Sequence, residues 1–424
     1  MRNDSRQGGM TRTEGERARE WAAQRAAERA QAGAPDAAMA GDIRTDDIQS
    51  DDTRADASQA DIAMPSAERR GRGATVNPNT RFELPEYTPF DDGWSTLDLD
   101  YGALPALATT LIRDASRSAI AWNTSPDIGF DRAVNPYRGC EHGCVYCYAR
   151  PSHAYLGYSP GIDFETKLVF KPEIAALLEK ELRKPGYVAR PMTLGSNTDP
   201  YQPVERTLKL SRAVLEVMDR FNHPVVIITK SAGVLRDIDL LTRLAERRLV
   251  QVFLSVTTLD HELARKMEPR AATPTRRLHA IDQLARANIP VGVLAAPMIP
   301  GLNDAEMEKI LERAARAGAR RAGYVLLRLP HELREIFQQW TRRHFPTREK
   351  HILGLVRATR GGALNESRFH HRFSGQGVYA DLLLRRFTRA TRQWGLDTMR
   401  DGLDCRLFQP PEGEPAESAQ MSLF

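Results

Sequence analysis

The stretch NPYRGCEHGCVYCYAR, residues 135–150, decides how the rest of this 424-residue chain is read. It holds Cys140, Cys144 and Cys147, three of the chain's four cysteines, spaced C-x3-C-x2-C. Iron–sulfur clusters are normally held by four cysteines, so a local set of three grips three corners of a four-iron cluster and leaves one iron without a nearby protein ligand. An open position of this kind marks chemistry rather than scaffolding, as it does at zinc. A structural zinc site would need a fourth donor, and His142 and His153 are near enough to be considered. Zinc sites, however, pair their cysteines with a second group further on, and the chain has no second group. Four cysteines in a long chain without a secretory signal do not make a disulfide framework.

Outward from this stretch the chain alternates short apolar runs with helical periods. Residues 133–137 lead into the cysteine loop, and a helix is expected over 172–183. MTLGSN (192–197), VVIITK (225–230), VQVFLSVTT (250–258), VGVLAAPM (291–298) and AGYVLLRL (322–329) read as buried strands. Helices are expected between and after them, over 204–221, 234–247, 260–267, 274–288, 305–317 and 331–343. Such βα repeats predict an α/β fold with a parallel sheet. Six strands without a clear seventh and eighth give a partial (β/α)6 TIM-like barrel. In barrels built this way the chemistry lies on the loops after the strands, and the cysteines occupy the first of them.

The flanks differ in composition. Residues 1–70 are rich in Ala, Arg, Asp, Glu, Gln and Ser, and cannot bury enough apolar surface to offset their ordering entropy, which predicts a disordered tail. Residues 71–130 read as an N-terminal arm and lead-in, residues 131–343 as the barrel, residues 344–408 as an Arg- and aromatic-rich helical extension, and residues 409–424 as a frayed tail. A formal charge of +5 and a pI near 9.0 permit an anionic partner. No run has the length of a membrane-spanning helix, and the first residues lack the apolar core of a signal peptide. A cytoplasmic protein with no membrane partner is the expectation.

With Tyr146 just before its last cysteine, the motif closely resembles the signature of radical S-adenosylmethionine (SAM) enzymes, over roughly residues 130–330. The TDPYQP segment, residues 198–203, resembles the spore photolyase-related branch of that superfamily. The resemblance implies a [4Fe-4S] cluster on Cys140, Cys144 and Cys147, with S-adenosyl-L-methionine as second cofactor and flavodoxin or ferredoxin as a one-electron donor. It places Gly195, Ser196, Asn197, Thr198 and Asp199 near the methionine amino group, where the family usually carries Gly-Gly-Glu. It places Ser255 and Thr257 near the ribose, and strand alternation sends both to one face. Ala296 and Met298 would lie along the adenine edge, with Tyr146 on the ring's other side. Arg276 and Arg277 either meet the methionine carboxylate or form a surface pair at a helix start.

The branch also implies a nucleic-acid partner. For that partner Phe345, Phe369, Phe373, Tyr379 and Trp394 in the Arg-rich region could form a basic aromatic face; aromatics at helical spacing equally belong to cores. Cys405 reads as a buried small residue. His344, His351, His370 and His371 lack regular ligand spacing. No side chain is singled out as catalytic. The alternative function is a non-catalytic iron–sulfur or zinc-binding sensor.

Overall fold

Runs such as VVIIT have no polar face to offer water, so they form strands only where helices cover both sides of a sheet. The structure, a computed structural model, describes residues 71–82, 108–397 and 402–411. The tail expected over 1–70, much of the arm, and the end beyond 411 lie outside the described residues.

Among the described residues ten strands form two sheets: β1 (Thr110–Arg113), β2 (Ile120–Trp122), β3 (Arg132–Val134), β4 (Tyr137–Arg138), β5 (Lys167–Phe170), β6 (Met192–Leu194), β7 (Val225–Thr229), β8 (Val250–Ser255), β9 (Val291–Met298) and β10 (Arg321–Leu326). The main sheet runs β10-β9-β8-β7-β6-β3-β2. Its six strands from β3 to β10 are mutually parallel, and β2 is added antiparallel at one edge. It does not close on itself, so the fold is a partial TIM-like barrel. A small sheet of β1, β5 and β4 stands beside it.

Helices Ile174–Leu182, Leu210–Arg220, Ile238–Glu246, Pro274–Arg286 and Met307–Arg316 cross between the parallel strands. Two expected helices are interrupted. The 204–221 segment splits into Glu205–Leu208 and Leu210–Arg220 at Lys209, which takes φ 51°. The Glu205 carboxylate turns back there to accept the N–H groups of Ser211 and Arg212. The 234–247 segment opens as a 3₁₀ turn, Ala232–Asp237, capped by the Ser231 hydroxyl, before Ile238–Glu246 begins. Beyond the sheet lie helices Leu333–His344, Glu349–Ala358 and Val378–Gln393.

The two larger clusters of buried apolar side chains are a main core along the sheet and a second one at the cysteine loop, and a small third joins Cys140, Ala149 and Phe164. The second joins Cys144, Val145 and Tyr146 to Ala74 from the far N-terminal side and to Phe337, Trp340 and Ile352 from the C-terminal helices. The Trp340 indole donates to the Lys266 carbonyl at 3.1 Å, which satisfies its N–H inside this core.

Candidate active site

Because the six strands are parallel, the segments that leave their C-terminal ends share one mouth: the cysteine loop after β3, residues 195–199 after β6, Lys230 after β7, residues 256–258 after β8 and Arg328 after β10. The cysteine loop is pinned by its backbone. Cys140 N–H donates to Phe164 O at 2.9 Å, Val145 N–H to Met267 O at 3.0 Å, and Cys147 N–H to Cys144 O at 3.2 Å. All three thiols are free, Cys140 and Cys144 buried and Cys147 half-buried. Burial pushes the Cys140 thiol well up, with Asp199 adding to it, and Cys144 up to about 12, with Lys230 pulling the other way. Thiolates at these positions therefore call for further positive charge beside them.

A strap from the N-terminal side lies over the loop. The buried Glu165 carboxylate accepts Gly73 N–H at 3.0 Å and Ala74 N–H at 2.8 Å, and pairs with the buried Arg150 at 2.5 Å. Arg150 also donates to the carbonyls of Cys144, Pro160 and Gly161. Position 73 admits only glycine, because a Cβ there would sit 1.7 Å from the Gly143 carbonyl oxygen.

Two charged groupings support the mouth. Glu268, buried, accepts from Thr257 Oγ1 at 2.6 Å, from the Tyr146 hydroxyl and from Arg277. Burial alone would raise its carboxyl, but Arg277, Lys230 and Thr257 outweigh that and hold it below the usual range. Asp199 accepts Thr229 Oγ1 at 2.7 Å and Lys230 N–H at 2.7 Å, and lies 3.3 Å from His142 Nδ1. Its carboxyl is held well below the ordinary value despite burial, His142 being the largest opposing influence. Lys230 reaches over the Tyr146 ring at 5.8 Å. Burial disfavours its charge, yet Cys144, Glu268, Cys147 and Asp199 together hold it above the usual lysine range.

Several sequence expectations are redirected by these contacts. Tyr146 is 5% exposed and locked by Glu268, so its ring belongs to the floor of the site rather than to an open stacking position. The Thr257 hydroxyl is already used by Glu268, and Met298 is a core residue whose carbonyl accepts Leu327 N–H. Arg277 is no surface residue: it spends its donors on Glu268, Ala272 O and Ser255 O, because its partner carboxylate is the protein's own. Arg276 is exposed. Thr198 and Asp199 are committed to Tyr137 O and to the Lys230 turn, which leaves Gly195, Ser196 and Asn197 on the half-buried rim. Ser255 is buried at the end of β8, and Ala296 is half-buried with its carbonyl 3.4 Å from Thr257 Oγ1. The five aromatics do not form one face. Phe345 packs on Trp340 in the second core, Tyr379 bonds Asp304, Trp394 packs on the main core, and Phe369 and Phe373 share Arg372. Cys405 is half-buried beside Leu403 O.

Lys230, Glu268 and Arg328 escaped the sequence reading. Lys230 and Arg328 directly follow apolar strand runs, the same signal that pointed to Ser255. Glu268 carried no such signal.

Comparison with known proteins covers much of this region. Residues 134–314 match the family described as the Radical SAM superfamily. An uncharacterized protein of Mycobacterium tuberculosis is 37% identical over 219 residues, 51% of this chain and 64% of the relative. An uncharacterized protein of Methanocaldococcus jannaschii is 28% identical over 178 residues, 42% of this chain and 64% of the relative. The chain thus spans less than two thirds of the length of these curated relatives. Among solved structures, spore photoproduct lyase complexed with dinucleoside spore photoproduct aligns with a TM-score of 0.49 at 17% identity, covering 67% of this chain and 79% of that one. The three-cysteine motif lies inside the segment that matches the radical SAM superfamily, on the first loop of a partial barrel.

Proposed function

We propose that the chain is a cytoplasmic radical SAM enzyme whose Cys140, Cys144 and Cys147 hold a [4Fe-4S] cluster and whose strand ends hold S-adenosyl-L-methionine. The observation that carries this reading is the donor set: three free thiols on one backbone-pinned loop at the mouth of the sheet. A set of three cysteines suits a multi-iron group with one open iron better than a structural zinc, which would want a fourth donor. When bound, the two cofactors supply reductive cleavage of the sulfonium C–S bond, which leaves methionine and a hydrogen-abstracting 5'-deoxyadenosyl radical.

The protein's own part is binding, orientation and exclusion of water. Lys230 sets a half-buried positive charge beside Cys144 and Cys147. Asp199 fixes the turn that carries Lys230, and Glu268 with Arg277 and Tyr146 makes a rigid, fully bonded floor. Gly195, Ser196 and Asn197 remain on the rim for the methionine end, and Ser255 and Ala296 for the adenosine. The strap through Gly73 and Ala74 packs against the loop at Gly143 and is held by Glu165. The electron comes from a flavodoxin- or ferredoxin-type donor. Among the described residues no helix is long and apolar enough to cross a membrane.

Anaerobic reconstitution followed by reduction with dithionite tests the proposal. Release of 5'-deoxyadenosine from S-adenosylmethionine is expected. A fully loaded protein that leaves the cofactor intact would be a sensor or binding protein instead.

A further inference from the structure

Arg328, two residues beyond β10, stands at the mouth with no hydrogen bond among the described residues, and its Nε is shut off from solvent without an acceptor. Its guanidinium lies 4.8 Å from the Phe373 ring, and Arg372 lies 4.9 Å from the same ring. Arg360, 2% exposed, is beside it. Arg360 bonds the carbonyls of Leu326, Leu327, His371 and Arg372, yet its own Nε is also buried without an acceptor. Burial and the neighbouring Arg372 both press Arg328 below the usual arginine range. Against three guanidinium groups the cluster sets the Asp127 carboxylate, which Arg372 already engages through Nε at 2.8 Å. Glu366 is a weaker influence on Arg360 and is bonded by Arg368. Uncompensated cations with buried, idle donors are costly to maintain, and no acceptor for them stands among the described residues, which calls for an incoming anion.

We infer that Arg328, backed by Arg360 and Arg372, is the anchor for a phosphate group on the substrate of the neighbouring site. The excess of guanidinium over carboxylate matches the charge of a phosphate ester, and planar N–H forks match its oxygens. Phe373 holds the guanidinium plane from the side. Tyr148, 53% exposed and with its hydroxyl on Ser196 O, feels the charges of both Lys230 and Arg328, so the anchored molecule extends past it toward the cysteine loop. This substrate class rests on the radical enzyme reading of that loop.

The test is isothermal titration of the anaerobically reconstituted protein with phenyl phosphate, dimethyl phosphate and benzoate. Saturable phosphate binding is expected, weaker by about tenfold or more in R328Q, as for a lost charge-assisted hydrogen bond. R328K should fall between the two, and R286Q, on a distant surface ion pair with Asp282, should match wild type. Preference for phenyl phosphate assigns a phosphomonoester, and preference for dimethyl phosphate assigns a diester such as a nucleic-acid backbone; either supports the anchor. Benzoate binding as tight as phosphate, no saturation by either ester, or R328Q equal to wild type overturns it. Should R328Q not fold, R328K decides: affinity equal to wild type overturns the anchor, and weakened affinity supports it. Phosphate binding by a protein that releases no 5'-deoxyadenosine would sink the radical reading alone. The reverse pattern would sink the anchor alone.

Discussion

Replacing Glu165 by alanine removes the carboxylate that joins the Gly73 and Ala74 backbone of the strap to Arg150 of the cysteine loop. Its carboxylate is fully buried and serves Gly73 N–H, Ala74 N–H and Arg150 at once. Removing one partner of a buried ion pair costs about 3–5 kcal/mol, largely through the charge left behind. Arg150 keeps three carbonyl acceptors, which sets the expected loss near the lower end, about 3 kcal/mol. The two backbone N–H groups add about 1 kcal/mol each if they stay buried, but a strap that lifts lets water reach them. Their share therefore shows as local opening rather than global unfolding. Thermal melting and hydrogen–deuterium exchange read the two parts separately. E165A should melt roughly 5–10 °C below wild type, given about 2–4 °C per kcal/mol in domains of moderate size and less in larger ones. The Gly73 and Ala74 amides should exchange at least about tenfold faster, corresponding to about 1.4 kcal/mol of lost protection. Adding R150M should cost less than its effect alone, because the charge that E165A strands is then gone. Unchanged melting with the Gly73 amide still protected would refute the latch.

Three further outcomes follow from other parts of the structure. Cys144→Ala should abolish the cluster's visible absorbance and 5'-deoxyadenosine release together, and normal cofactor cleavage by this variant would remove the basis of the site. Gly195→Ala should cost about 2–4 kcal/mol by urea titration, because the residue has φ +93° and its Cβ would lie 2.3 Å from Ile228 O. His223 is buried, bonded to Pro224 O and the Tyr187 hydroxyl, and burial lowers it to about 4. Its folded value lies below the unfolded value of about 6.5, so the unfolded chain binds more protons in between, and stability should fall by roughly 2–3 kcal/mol from pH 6.5 to 4. H223Q should flatten that slope, and an unaltered slope would reassign it.

The sheet was legible because each parallel strand is a short apolar run between helical periods, and burial on both faces leaves no other reading. Even the break at Lys209 falls inside an expected helix; what the period could not show is that Glu205 would turn back to cap the next segment. Site residues were legible where local spacing carries the chemistry, as with the cysteines. They were not legible where a side chain's role depends on a distant partner. Arg277 read either as a methionine-carboxylate contact or as a surface residue until Glu268 stood opposite it, and Thr257 looked free until the same carboxylate took its hydroxyl. Glu165 meets residues more than ninety positions upstream, a separation no periodic pattern encodes.

That separation bears on where the protein can be cut. The family match ends at residues 134 and 314, but the folding unit does not. A fragment trimmed to those limits would lose Ala74 and leave Glu165 without its two backbone donors. It would also strip away β10 and the helices bearing Phe337, Trp340 and Ile352, baring the apolar side of Val145 and Tyr146. A shortened version that keeps the described packing must include residue 71 and continue past the helix Val378–Gln393.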